Sequence, residues 1–177
     1  MTREEINRER EFNRPRLLRQ WRKHNPGVRI KPMLAHSPNY YVTDDGRILS
    51  LRREENHRGK FVLAETRQFK LTSPACFRGG VHNYWQVTIR ITLNNQKNFP
   101  NVNFTSTNGM KLFPVHRLVA YYFCTREFFD RTQVDHIDGN PTNNHASNLE
   151  WVTPAENYRR AKELRKLKKL QSQTTKN

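Results

Sequence analysis

Cysteine is nearly absent from this chain. Cys76 and Cys124 are the only two in 177 residues, and neither lies in a C-x-x-C pair. That excludes a disulfide framework and a cysteine-built zinc ribbon, and it fits a reducing cytoplasm. Long apolar runs are missing too. No stretch is apolar enough to span a bilayer and no signal peptide opens the sequence, so no membrane partner is expected. Apolar residues make up 34%, enough for a modest core, and 177 residues read most simply as one domain with arms. Acid is scarce relative to base: 16 Asp and Glu stand against 32 Lys and Arg, a formal net charge of +16. So large an excess implies a polyanionic partner, with nucleic acid leading.

What is present is concentrated near the C-terminal end. Val134-Asp135-His136-Ile137-Asp138-Gly139-Asn140 is followed by Asn148-Leu149-Glu150-Trp151-Val152-Thr153-Pro154-Ala155-Glu156-Asn157. Gln133–His136 alternates like a short strand. Ile137–Asn148, with its Asp-Gly, Asn-Pro and Asn-Asn steps, is a loop. Leu149–Val152 reads as a second strand. Thr153 as cap, Pro154 at the first helical position and Glu156 three residues after the threonine predict a capping box, opening a helix that runs to Leu170.

The predicted unit is strand, long loop, strand, helix, and its chemistry is suggestive. Strands direct neighbouring side chains to opposite faces. Asp135 and His136 can therefore serve one site only if the strand ends or bulges there. The first helical turn would bring the amide oxygen of Asn157 beside Asp135. Two hard oxygen donors with room for water suit Mg²⁺ or Mn²⁺ and fit zinc poorly. A neutral histidine beside such an ion can take a proton from water near neutral pH. An Asp-His pair alone is usually polar surface; with the capped helix and Asn157 in place, a phosphodiester hydrolysis site is the better reading.

Asp135-His136, Asn148 and Asn157 at these spacings resemble the HNH motif of the ββα-metal endonucleases. The likeness is to the phage and intron homing branch, with its D-H-x-D-G-N, N-L-x-W-V-T and closing Asn, and it covers roughly Lys111 to Tyr158. The resemblance implies that His136 is the general base. It implies that Asp135 and Asn157 hold one divalent cation, Mg²⁺ or Mn²⁺, against the scissile phosphate and the leaving 3′ oxygen. Asn148 would complete the catalytic motif by bracing the loop. Products would carry a 5′ phosphate and a 3′ hydroxyl. Other branches have histidine where Asn157 stands, which leaves the preferred ion open. Without a zinc ribbon, no structural zinc is expected. The implied substrate is double-stranded DNA, in the cytoplasm of a bacterial host of a phage that encodes the chain.

The remaining segments supply arms and a β region. Residues 1–35 read as a basic helical N-terminal arm. Thr2 and Glu5 form a capping box, and Pro15 is expected to break the helix near its middle. Arg14, Arg16, Arg19, Arg22 and Lys23 crowd around Leu17, Leu18 and Trp21. Docking through the apolar trio and contact with DNA backbone are compatible roles. Residues 36–110 read as an antiparallel β region and DNA-binding module. Tyr40–Thr43 and Ile48–Leu51 flank an Asp-Gly turn as a hairpin, whose wording resembles a small module often found ahead of HNH domains.

Tyr84–Ile91 alternates, with Gln86, Thr88 and Arg90 on one face and Trp85, Val87, Ile89 and Ile91 on the other. The family's pattern implies that a polar sheet face enters the major groove, making Arg67, Lys70, Gln86, Thr88 and Arg90 candidate contacts; solvation of an exposed face is the plain alternative. Residues 94–108 look like an insertion. Lys111–Val115 reads as a strand leading into a helix that ends near Cys124. His116 there reads as structural, with a place near the site as the alternative, and Arg117 as a phosphate contact.

The nuclease unit is expected over 111–160 and a basic C-terminal helix and tail over 161–177. Arg159, Arg160, Arg165 and Lys166 would lie along DNA, and Gln171 to Asn177 are expected to be disordered. No helix-turn-helix follows, so sequence recognition is left to the sheet and arms. The expected fold is α+β: a small antiparallel sheet plus a C-terminal ββα-metal HNH motif, with basic helical arms. The expected activity is metal-dependent DNA cleavage, nicking as a monomer or cutting both strands as a homodimer. The alternatives are a non-catalytic basic DNA- or RNA-binding protein that retains the fold, and an RNA-directed nuclease.

Overall fold

The computed structural model describes residues 2–54, 59–70, 84–91 and 110–174. The chain opens with α1 (Arg3–His24), started by the expected capping box: Thr2 N–H donates to Glu5 Oε2 at 2.7 Å, and Glu5 N–H to Thr2 Oγ1 at 3.2 Å. Pro15 does not break it. The helix continues through the proline, although Pro15 forgoes the backbone bond to the carbonyl of residue 11. Tertiary contacts hold the next turn in place. Arg14 donates to the Pro38 carbonyl at 2.8 Å and to the Tyr41 hydroxyl at 2.7 Å, and Leu17 is buried.

Three antiparallel sheets follow among the described residues. The first orders β1 (Ile30–Pro32), β2 (Tyr40–Thr43), β3 (Ile48–Arg53) and β4 (Phe61–Glu65) consecutively. The β2–β3 hairpin and its Asp-Gly turn stand where expected, with Gly46 at φ +92°. β1, placed by the sequence reading in the helical arm, is a strand. The second sheet joins β5 (Gln68–Lys70), β6 (Trp85–Arg90) and β7 (Met110–Pro114). The 94–108 insertion lies outside the described residues. α2 (Val115–Phe123) turns the chain into the third sheet, β8 (Gln133–His136) paired with β9 (Leu149–Val152) in the register His136↔Leu149 and Asp135↔Glu150. α3 (Pro154–Thr174) closes the unit. It runs through 171–174, residues expected to be disordered, because nothing in Gln171-Ser172-Gln173-Thr174 stops a helix.

Two apolar clusters result among the described residues, and the β2–β3 hairpin feeds both. Its Val42 and Ile48 join a central core with Val87, Ile89, Phe113, Val115, Leu118, Val119, Val134, Leu149 and Trp151. Its Tyr41, Leu49 and Leu51 turn the other way and pack with Leu17 and Phe61, with Leu18 and Trp21 partly buried alongside. That is the period-two alternation of a strand buried on both faces. The hairpin is thus clamped between α1 and the C-terminal unit. Among the described residues no helix is long and apolar enough to cross a membrane.

Candidate active site at the β8–β9–α3 junction

Strand alternation governs the site. Along β8, Val134 and His136 turn inward and are buried, while Gln133 and Asp135 face α3 half-buried. The ladder is not bulged, but β8 ends at His136, with the Ile137 N–H just beyond it donating to the Asn148 carbonyl at 2.9 Å. Asp135 reaches back instead, its Oδ1 accepting the His136 N–H at 2.9 Å.

Among the described residues, Tyr84, His116 and Asn144 stand against the His136 ring. Tyr84, just ahead of β6, stacks on it at 5.7 Å and 18°. His116 of α2 lies 5.2 Å away by ring centroids and packs on Tyr84 at 4.6 Å. The third is Asn144, only 6% exposed, whose Oδ1 stands 3.2 Å from His136 Nε2. An amide oxygen can only accept, so this contact is a hydrogen bond when the imidazole carries its proton on Nε2. Among the described residues, Nδ1 meets no hydrogen-bond partner.

His116, read from sequence as structural with a place near the site as the alternative, packs against the His136 ring. Burial, then the charges of His136 and Arg117, push it down to about 3, so it stays neutral. Burial, and next the Asp135 charge, push the Tyr84 phenol up, so it too stays uncharged.

The loop between the strands is braced at both ends. Asn148 accepts the Asp138 N–H at 3.0 Å and donates to Asp138 Oδ1 and to the Asn143 carbonyl, both at 2.9 Å. Asp138 also receives Asn143 Nδ2 at 2.8 Å and the Asn140 N–H at 2.8 Å. Those donors, the Asn140 N–H foremost, hold its carboxyl below the usual carboxylate range. Gly139 takes φ +66°, and a Cβ there would fall 2.9 Å from Leu164 Cδ1 of α3.

α3 meets β8 in two rungs. Thr153 Oγ1 accepts the Glu156 N–H at 3.1 Å, one half of the expected capping box; the other half is absent because the Glu156 carboxylate turns to Arg160 at 3.0 Å. Asn157 donates its amide to Gln133, and Arg160, one turn later, faces Asp135 at 3.5 Å. Asn157 and Asp135 therefore share one β8–α3 interface, although Gln133 rather than Asp135 takes the amide. Arg160 also donates to Glu150 at 2.8 Å. Its own pKa is raised by Glu150 first, with Glu156 adding to it.

The oxygen atoms here are hard donors, the type a divalent ion takes. Carboxylates of Asp135, Glu150 and Glu156 already converge on one cation, the Arg160 guanidinium. Among the described residues no three of Asp, Glu, His and Cys form a protein-only cage. An ion held here would keep positions for water or substrate oxygen.

Other sequence-picked residues are spread around this centre. Arg67 is exposed on a groove of about 620 Å³ shared with Arg52, Trp85, Thr142 and Asn144. Gln86 and Thr88 are half-buried and Arg90 is exposed. The Lys70 side chain lies outside the described residues. Arg117 is exposed and donates to the Thr132 carbonyl at 3.2 Å. Arg159 pairs with Glu163 at 3.2 Å, and Arg165 and Lys166 are exposed on α3. Arg160 stands inside the carboxylate cluster, not on the outer face. Sequence reasoning missed Asn144, Tyr84 and Glu150. Only Glu150 carried a signal, as the register partner of Asp135.

Compared with known proteins, residues 113–159 match the HNH endonuclease family. The chain is similar to DNA endonuclease I-HmuI of Bacillus phage SP01, 54% identical over 43 residues that make up 24% of this chain and 24% of that protein. It is similar to YosQ, an SPbeta prophage-derived protein of Bacillus subtilis (strain 168) named for an HNH homing endonuclease, 52% identical over 52 residues and 28% of each chain. The matched stretch spans about a quarter of the length of either relative. The backbone overlays the solved structure described as DNA binding and cleavage by the HNH homing endonuclease I-HmuI with a TM-score of 0.48 and 24% identity, over 76% of this chain and 58% of that one.

Proposed function

We propose, from the premise that residues 113–159 belong to the HNH endonuclease family, that the whole chain is a homing-type DNA endonuclease that hydrolyses phosphodiester bonds in duplex DNA. One observation carries the reading: the Asn144 oxygen 3.2 Å from His136 Nε2, which leaves the Nδ1 lone pair to act as a base. A water held at Nδ1 gives up its proton to the imidazole as its oxygen attacks phosphorus. The bond from phosphorus to the 3′ oxygen breaks and that oxygen takes up a proton from solvent, leaving a 5′ phosphate and a 3′ hydroxyl. Stacked Tyr84 and neutral His116 fix the ring plane.

Asp135 and Asn157 are the residues proposed to hold one divalent ion, Mg²⁺ or Mn²⁺. When bound, such an ion supplies positive charge to the phosphate and to the leaving oxygen. Asn148 acts through the loop, keeping the end of β8 and the start of β9 in register. The charge of +16 supplies the attraction to the DNA backbone, with exposed Arg67, Arg90, Arg117, Arg165 and Lys166 as its contacts.

The test is supercoiled plasmid incubated with Mg²⁺ or Mn²⁺, with and without chelator. Metal-dependent relaxation that falls on the order of 10²–10⁴-fold in His136→Ala, with DNA binding retained, is the expected result. Equal relaxation by His136→Ala would leave a basic DNA-binding protein that does not cleave. Matched assays on structured RNA separate the RNA-directed alternative.

A further inference from the structure

The His136–Asn144 contact depends on a part of the chain far from it in sequence. The loop's own braces run from Asp138 to Asn143 and Asn148. Asn144 and Ala146 instead meet the β2–β3 turn. Ala146 N–H donates to the Asp44 carbonyl at 2.6 Å. Gly46 abuts Asn144 so closely that a Cβ on the glycine would lie 2.9 Å from Asn144 Cβ and 3.3 Å from its carbonyl oxygen.

The turn is itself rigid. Thr43 Oγ1 accepts the Arg47 N–H at 2.9 Å, Gln68 Nε2 donates to the Gly46 carbonyl at 2.9 Å, and Arg29 holds Asp44 through its N–H at 3.0 Å and Nε at 2.7 Å. Both faces of the hairpin are buried, so the turn cannot swing away from the loop without opening a core.

We propose that the β2–β3 hairpin is a positioning device for the catalytic histidine, its turn at Gly46 seating Asn144 so that the Asn144 oxygen receives the Nε2 proton of His136. Asn144 and Gly46 are then positioning residues. Asn144 selects the tautomer and ring orientation, and Gly46 sets where Asn144 stands. The expected module for reading DNA gains a second role, as the buttress of the site. The inference rests on His136 acting as the base.

The device acts only if two conditions hold. The amide oxygen must stay within hydrogen-bond range of Nε2, since misplacement on the order of 0.5 Å degrades a catalytic arrangement. The residue at 46 must also lack a Cβ. At φ +92° any other residue is strained, and its Cβ would push Asn144 off its seat.

The experiment reads His136 directly and by kinetics in the full-length chain. With ¹⁵N-labelled histidine, NMR of the unsubstituted protein should show His136 as the Nε2–H tautomer. Asn144→Ala and Gly46→Ala should both shift it toward a mixture of tautomers. In cleavage assays both should lower kcat by roughly 10-fold or more with KM for DNA unchanged. Asn144→Asp, which keeps an acceptor oxygen, should recover the Nε2–H tautomer and part of the rate.

Unchanged tautomer and unchanged kcat in Asn144→Ala overturn the proposal. So does a Gly46→Ala protein that keeps the wild-type tautomer and loses rate only in proportion to lost folded fraction. If Gly46→Ala does not fold, Asn144→Ala and Asn144→Asp decide alone. Should the unsubstituted protein cleave nothing, the nuclease reading fails, while the NMR arm still reports whether Gly46 governs the imidazole.

Discussion

Asp135 and Glu150 stand opposite each other in the β8–β9 ladder, and one guanidinium nitrogen of Arg160 reaches both carboxylates, at 3.5 Å and 2.8 Å. A metal ligand on the proposed reading is thus already neutralised by a protein cation. Any divalent ion arriving at Asp135 meets a positive charge it must displace or tolerate.

Arg160→Gln should therefore bind Mn²⁺ more tightly. Two like charges about 4 Å apart near a protein surface repel by up to roughly 4 kcal/mol, and part of this is screened at the partly exposed Arg160. A gain in affinity on the order of 10-fold is expected, read by calorimetry. The metal-free variant should melt lower, because three carboxylates lose their shared partner. Weaker Mn²⁺ binding by the variant would show that Arg160 supports the ion instead of competing with it.

Asp135→Asn gives the complementary outcome. The substituted amide can still accept the His136 N–H, so the end of β8 should hold. The carboxylate is gone, however, and the rise in Tm on adding Mn²⁺ should largely vanish, since a ligand stabilises only the state it binds. DNA affinity at low salt should persist, because it comes from charges elsewhere. A full Mn²⁺-dependent Tm shift in this variant would place the ion on other oxygens.

Much of the C-terminal unit was legible in the sequence because its signals are local. Thr153-Pro154 marks the start of α3, Asp138-Gly139 marks a turn, and Asn148 braces the loop as read. The contacts that shape the histidine pocket were not legible. Tyr84, His116 and Asn144 come from three separate segments, and only tertiary packing brings them to His136. The capping box at Thr153 was half right for the same reason. Its glutamate had a better partner in Arg160, a turn further along the helix.

Acid should loosen the fold before most carboxylates titrate. Burial holds His36 down at about 4 and His116 down at about 3, against an ordinary 6.5. In the unfolded chain both take up protons as pH falls through about 6.5, while in the folded chain they do not, so protonation favours unfolding. Stability is complete above about pH 6.5 and declines toward pH 4, by roughly 1 kcal/mol per pH unit for each histidine. His36→Gln should reduce the slope of unfolding free energy between pH 7 and 5 by about half, measured by urea denaturation. An unchanged slope would mean that His36 protonates without leaving its seat beside the Tyr122 hydroxyl, 2.9 Å away.

Pro15 offers a test of why the N-terminal helix survives its proline. The residue is exposed, and its neighbours Arg14 and Leu17 make the contacts that hold α1 to the first sheet. Nothing in those contacts needs the pyrrolidine ring. Pro15→Ala restores a backbone N–H in the helix interior, where proline costs about 3 kcal/mol relative to alanine. It gives back roughly 0.4–1 kcal/mol by loosening the unfolded chain. The net expectation is a gain of about 2 kcal/mol in the stability of α1, seen as slower amide exchange in that helix and a higher Tm. If exchange in α1 is faster in the variant, the ring itself is part of the docking, and the helix is held at residue 15 as well as by Arg14 and Leu17.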